Sequence, residues 1–176
     1  MKVVLVRHTS VDVPRGTCYG QTDVPVAPSF EQEATATLQQ LQPLMPFDAV
    51  FSSPLTRARL LAQFCGYPHP TIDDRLMEMN MGQWEMQLYD EIQDPHLQAW
   101  YDDYMHLPTT GGEGFPDLYA RVAQFLDELK GKPYRQVGIF AHGGVLISAG
   151  IYAHLFPRET AWNHLVPFGG IEIIEI

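Results

Sequence analysis

Val3-Val4-Leu5-Val6 runs directly into Arg7-His8. A compact run of β-branched residues and leucine, too short for a helix and apolar at every position, predicts a strand buried on both faces. Such strands sit in sheets that helices cover on each side. Further along, Asp48-Ala49-Val50-Phe51-Ser52 and Val137 to Ala141 repeat the pattern as short strands, and Ile171 to Ile176 alternates apolar and acidic residues as an edge strand does. Between them lie stretches of helical character. Glu31 to Leu44 carries Leu38, Leu41 and Leu44 at helical spacing, with Pro46 beyond its end. After Pro54, Leu55, Ala58, Leu61 and Ala62 make an apolar stripe. The segment 86–106 has helical composition interrupted at Pro95. Leu118, Val122, Phe125, Leu126 and Leu129 predict a helix over 117–130, and Gly143-Gly144 opens another that runs to about His154. Strands alternating with helices give an α/β domain of three layers, α/β/α, around a mostly parallel sheet. No repeat or linker divides the chain, so residues 1–176 are expected to form one domain.

The chain has 176 residues, with 11 Lys and Arg against 21 Asp and Glu, and a net charge of −10. This excess of acid excludes a nucleic-acid binder working through a broad basic face. It also means that an anionic substrate must be captured by a few concentrated cations, because the general surface repels it. Cys18 and Cys65 are the only cysteines, too few for a disulfide framework, and no Cys-x-x-Cys is present. The apolar run at residues 3–6 is too short for a signal peptide, and nowhere do about 20 apolar residues run together. The expected location is therefore the cytoplasm, with no membrane partner.

Polar residues collect at three strand ends. Arg7-His8 follows the first strand, Ser52-Ser53 and then Arg57 follow the second, and His142-Gly143-Gly144 follows the third. Ligands of an open parallel α/β sheet bind outside the carboxyl ends of its strands. Two guanidiniums, two imidazoles and the backbone N–H groups at helix starts make a site for a tetrahedral dianion. Nearby cations keep an imidazole neutral, and a neutral imidazole is nucleophilic. The inventory suits a phosphohistidine intermediate and calls for neither metal nor cofactor.

These residues resemble the histidine phosphatase superfamily. The resemblance rests on Leu5-Val6-Arg7-His8, Ser52-Ser53-Pro54-Leu55-Thr56-Arg57-Ala58, Leu76-Met77-Glu78 with Gly82-Gln83-Trp84-Glu85, and Ala141-His142-Gly143-Gly144. It implies a phosphoglycerate-mutase-like fold and metal-independent phosphomonoester hydrolysis of a small phosphorylated metabolite. His8 would be the nucleophile, Arg7, Arg57 and His142 the phosphoryl ligands, and Glu78 the acid that protonates the leaving alkoxide and later activates water. Leu76, Met77, Met79 and Met81 suggest a partly apolar setting that would raise the Glu78 pKa. The loop Gly16-Thr17-Cys18-Tyr19-Gly20-Gln21-Thr22-Asp23-Val24-Pro25 looks like that of α-ribazole-5′-phosphate phosphatases, enzymes of cobalamin synthesis. Gly20, Gln21 and Glu113 are the candidates for its substrate rim. Four positions depart from the family pattern: Thr9 for Gly, Pro14 for Asn, Phe30 for Gly and Gly114 for Ser. The short chain favours hydrolysis over mutase chemistry.

Each residue has a plainer reading. His8 alone suits a hydrogen-bonded strand end, and only its company beside Arg7 and opposite Arg57 and His142 argues otherwise. Arg59 reads as a surface residue. Glu85 and Asp74 are acids close to Glu78, and the motif decides between them. His69, His96, His106, His154 and His164 show no ligand spacing, and Trp84, Trp100 and Trp162 read as packing residues, with Trp100, Tyr101, Tyr104 and Met105 as a conceivable cover over the pocket.

Overall fold

The computed structural model describes residues 1–176. Its strands are β1 (Lys2–Arg7), β2 (Ala49–Ser52), β3 (Thr71–Ile72), β4 (Gln136–Ala141) and β5 (Ile171–Glu175). The helices are α1 (Phe30–Leu41), α2 (Thr56–Phe64), α3 (His96–Asp102), α4 (Phe115–Lys130) and α5 (Gly143–Tyr152). The sheet order is β3-β2-β4-β1-β5, parallel throughout except for β5, which runs antiparallel to β1 at the edge.

The two faces of the pleat feed two separate cores. Val3 and Leu5 of β1, with Val137 and Ile139 of β4, join Leu118, Val122 and Leu126 of α4 and Val145 and Ala149 of α5. Val4, Val6 and Phe140 point the other way, onto Ala34 and Leu41 of α1 and Leu61 and Ala62 of α2. Both faces of β1 are thus dry, which is why its sequence is apolar at every position rather than alternating. The three-layer, mostly parallel arrangement agrees with the sequence reading.

Four local differences have physical causes. The first helix stops at Leu41, and Gln42–Leu44 tightens into a 3₁₀ turn, because Pro43 lacks the N–H that an α turn requires. Of the segment 86–106, only His96–Asp102 is α-helical, with a 3₁₀ turn at Tyr89–Glu91 before it. Asp94 caps this helix by accepting the His96 N–H at 2.9 Å, and Met86 upstream has φ of 65°, outside helical space. The fourth helix begins at Phe115, two residues early, with Pro116 in its first turn and the Gly114 N–H donating to Asp117 at 2.9 Å. The two-residue β3 carries no signal in the sequence, since an element that short leaves no periodicity to read.

Candidate active site

The three strand ends converge in register. Arg7 lies opposite Ala141 and Ser52 opposite Phe140. The His8 N–H donates to the Ala141 carbonyl at 3.0 Å, and the Ser53 N–H to that of Phe140 at 2.9 Å, so the ladder continues one residue into the loops. That continuation places His8 and Ser53 on either side of the β4 end, from which His142 emerges.

The His8 ring is 3% exposed, and its centroid lies 5.2 Å from that of His142, itself wholly buried. His8 Nδ1 is 2.7 Å from the Thr9 carbonyl oxygen. A carbonyl only accepts, so the ring proton sits on Nδ1 and Nε2 keeps its lone pair. The contact uses the backbone of Thr9, so the Thr9 departure costs it nothing. Burial, and then the Arg57 charge, lower the His8 pKa to about 3 against a hydrogen bond to Thr9 that raises it. Burial and the same arginine push His142 well below the ordinary imidazole value. Both rings are neutral at physiological pH, as the surrounding cations suggested.

The guanidiniums are held from behind. Arg57 is wholly buried and donates from Nη1 to Thr22 O at 2.9 Å and from Nη2 to Gly20 O at 2.5 Å, with the Tyr19 ring 5.3 Å from its carbon. Arg7 donates from Nη1 to Val166 O at 2.6 Å and lies 4.1 Å from the centroid of Phe168. Arg7 Nε, Arg57 Nε and His142 Nδ1 are buried without any partner. Orphaned buried polar atoms are rare and expensive. Three that converge from the ends of β1 and β4 and the first turn of α2 mark a place prepared for an acceptor of several hydrogen bonds.

Glu78 approaches from the loop after the second helix. Its Oε1 accepts the Met79 N–H at 2.9 Å and its Oε2 accepts the Gly144 N–H at 3.1 Å, at the start of α5. The apolar setting expected from Met79 and Met81 is only part of its surroundings, because both oxygens are also held by backbone donors. On the open side of Glu78 lies a cavity of about 540 Å³ lined by Tyr19, Met79, Met81, Tyr89, Trp100, Tyr101, Tyr104, Phe115, Leu118 and Trp162. Trp100 and Trp162 pack against the main core and also form part of this cavity's wall, whereas Trp84 is fully buried. Arg59 is exposed, as are His69, His106, His154 and His164. No group of three or more His, Cys, Asp or Glu side chains is placed to hold a metal ion.

The three rim candidates all make bracing contacts within the loops around the site. Glu113 forms a two-pronged pair with Arg121, at 2.9 Å for each prong, and accepts the Asn80 N–H at 2.8 Å. Arg121 also donates to the carbonyls of Arg75, Met77 and Glu78 at 2.8, 2.6 and 2.9 Å, so the pair clamps the loop that presents Glu78. Gly20 supplies the carbonyl that holds Arg57, and a Cβ there would collide with the Met79 carbonyl. Gln21 donates from Nε2 to Glu78 O at 3.1 Å. Glu85 ties these pieces together by accepting the N–H groups of Gly20, Gln21 and Met81 at 3.0, 2.9 and 3.1 Å, and the Thr22 hydroxyl at 2.7 Å. Sequence reasoning missed Arg121. Its signal is an arginine inside the buried stripe of α4, three residues after Leu118 and four before Phe125.

An open α/β sheet with an anion pocket at its carboxyl edge, and two histidines inside that pocket, is the architecture of a phosphoryl-handling enzyme. The family model described as the histidine phosphatase superfamily (branch 1) matches residues 3–176, and the chain belongs to that family. An adenosylcobalamin/alpha-ribazole phosphatase of Salmonella typhimurium is 30% identical over 184 residues, covering 100% of this chain and 91% of that protein. A phosphoserine phosphatase 1 of Hydrogenobacter thermophilus is 27% identical over 77% of this chain and 67% of its own length. The crystal structure of the alpha-ribazole phosphatase from Shigella flexneri superposes with a TM-score of 0.86 and 30% identity, over 100% of this chain and 91% of that one. The family and these relatives support a phosphatase. No helix is long and apolar enough to cross a membrane.

Proposed function

We propose that the chain is a metal-independent phosphomonoesterase whose phosphoryl group passes from substrate to His8 and then to water. The observation that carries this reading is the set of buried, unpartnered Arg7 Nε, Arg57 Nε and His142 Nδ1 around a His8 whose Nε2 is free. The donors supply the charge stabilisation that phosphoryl transfer needs, without a metal. His8 Nε2 attacks phosphorus, the P–O bond to the leaving group breaks, and Glu78 protonates the departing oxygen. In the second half, Glu78 takes a proton from water as that water displaces His8, which regenerates the imidazole and the carboxylic acid.

Within that chemistry, α-ribazole 5′-phosphate is the proposed substrate, which places the enzyme in the nucleotide-loop branch of cobalamin synthesis inside the cytoplasm. Support comes from the alpha-ribazole phosphatases among its relatives and from the cavity beside Glu78, whose tyrosine and tryptophan walls suit a flat aromatic base. A phosphoserine or phosphoglycerate substrate carries a carboxylate, and no Lys or Arg lines that cavity to receive one. Neither nucleic acid nor membrane enters this proposal. The test is phosphate release in EDTA from α-ribazole 5′-phosphate, phosphoserine and simple alkyl phosphates. A kcat/KM for the nucleotide about 10²-fold or more above the others is expected. Equal slow rates on all would point to a broad-specificity phosphatase and discard the cobalamin assignment, and preference for phosphoserine would discard it as well.

A further inference from the structure

We infer that Ser53 is a positioning residue that sets the tautomer of His142, its hydroxyl donating to Nε2 and so keeping the imidazole proton on Nδ1. Ser53 is wholly buried at the end of β2, and its Oγ lies 2.7 Å from His142 Nε2. The same Oγ accepts the Leu55 N–H at 3.2 Å, and the Ser53 backbone is pinned by its bond to Phe140 O at 2.9 Å. A serine hydroxyl has one proton to give, and a neutral imidazole has one donor and one acceptor nitrogen. If His142 donated from Nε2, the Ser53 proton would have no acceptor among its contacts. A bare lone pair at Nδ1 would then sit beside Arg7, Arg57 and His8, in a pocket shaped for an anion. With Ser53 as donor, every proton is placed. Leu55 N–H gives to Oγ, Oγ–H gives to Nε2, and Nδ1–H, unpartnered in the protein, remains for a phosphoryl oxygen. Two adjacent parallel strand ends thereby make a hydrogen-bond donor from a neutral ring.

The role given to Nδ1 rests on the phosphoryl-site reading, but the tautomer is measurable without substrate. The experiment is ¹⁵N NMR of histidine-labelled protein, with the His142 signals assigned by their loss in His142→Gln. The expected spectrum shows a pyrrole-type nitrogen at Nδ1 and a pyridine-type nitrogen at Nε2. In Ser53→Ala the proton should redistribute toward Nε2, and kcat should fall about 10- to 100-fold, as for loss of a group that orients a ligating histidine. KM should change by less than about threefold. Ser53→Thr, which keeps the hydroxyl, should restore both the tautomer and the rate. An Nε2–H tautomer in the unaltered protein, or an unchanged tautomer in Ser53→Ala, overturns the inference. If Ser53→Ala does not fold, the spectrum of the unaltered protein alone decides. The predicted tautomer in a chain that releases no phosphate would sink the proposed function and leave Ser53 in its role.

Discussion

The amide of Gly144 donates to Glu78 Oε2 at 3.1 Å, and this one bond ties the acid, on the loop after β3, to the helix that begins directly after His142. The acid and the phosphoryl ligand therefore share a rigid support. A Cβ at position 144 would collide with Glu78 Oε1 and approach Leu118 Cδ2 to 2.7 Å. The glycine leaves room for the carboxylate, which an added methyl would push aside.

Gly144→Ala separates these two requirements. Replacing glycine by alanine inside a helix ordinarily stabilises by up to about 1 kcal/mol. Here the methyl displaces Glu78, and kcat on alkyl phosphates should fall on the order of 10²-fold, the scale of general acid catalysis. Esters with good leaving groups need the acid less and should lose less. Steady-state kinetics on p-nitrophenyl phosphate and an alkyl phosphate check the difference, and equal losses on both would remove Glu78 from the acid's role.

Arg121→Met leaves the carbonyls of Arg75, Met77 and Glu78 without their donor and the Glu113 carboxylate without its partner. Since Arg121 and Glu113 are mostly buried, with side chains 17% and 23% exposed, the expected loss is roughly 2–4 kcal/mol in urea unfolding. The folded fraction should also show reduced kcat, because the loop that presents Glu78 loosens. Unchanged stability would mean that the clamp is dispensable.

The sequence placed Arg7, His8, Arg57 and His142 at one edge because strand ends of a parallel sheet have a known geometry, and short apolar runs locate those ends. Glu78 was legible only by resemblance. It lies on an irregular loop with Asp74 and Glu85 nearby, and what selects it is its contact with Gly144, 66 residues away in sequence. Gly20, Gln21 and Glu113 pose a similar question. A polar residue next to a site does not declare whether it faces the ligand or braces the wall, since that depends on long-range partners such as Arg57, Glu85 and Arg121. Trp100 and Trp162 carry the converse ambiguity, because a large aromatic looks like core whether it fills space or lines it.

Acid should destabilise the protein through its two buried imidazoles. The His8 pKa is lowered in the folded state to about 3 from 6.5, so the unfolded chain binds more protons between those values. The stability is full above pH 6.5 and falls as pH drops toward 3, with a slope of up to about 1.4 kcal/mol per pH unit for one such group. His142, lowered for the same leading reason, adds in the same direction. Urea midpoints measured from pH 7.5 to 4 check the sign, and ring ¹H NMR should show neither histidine titrating between pH 8 and 5.

Glu172 works against them. Burial on the edge strand raises its carboxyl to about 7, so its folded form holds a proton that the unfolded chain has lost above 4.5. Its contribution is full below pH 4.5 and disappears as pH rises through 7. Glu172→Gln should therefore raise Tm more at pH 8 than at pH 5. A gain equal at both values would place the Glu172 carboxylate in ordinary solvent.

Rapid quenching shows whether His8 carries the phosphoryl group during turnover. The enzyme is mixed with p-nitrophenyl phosphate in EDTA, stopped with alkali within the first turnover, and the phosphorylated peptide is located by mass spectrometry. An acid-labile, alkali-stable adduct is expected on His8, forming with the release of p-nitrophenol and decaying at the rate of phosphate release. A phosphoryl group on another residue, or turnover that survives His8→Ala, would contradict that role for His8.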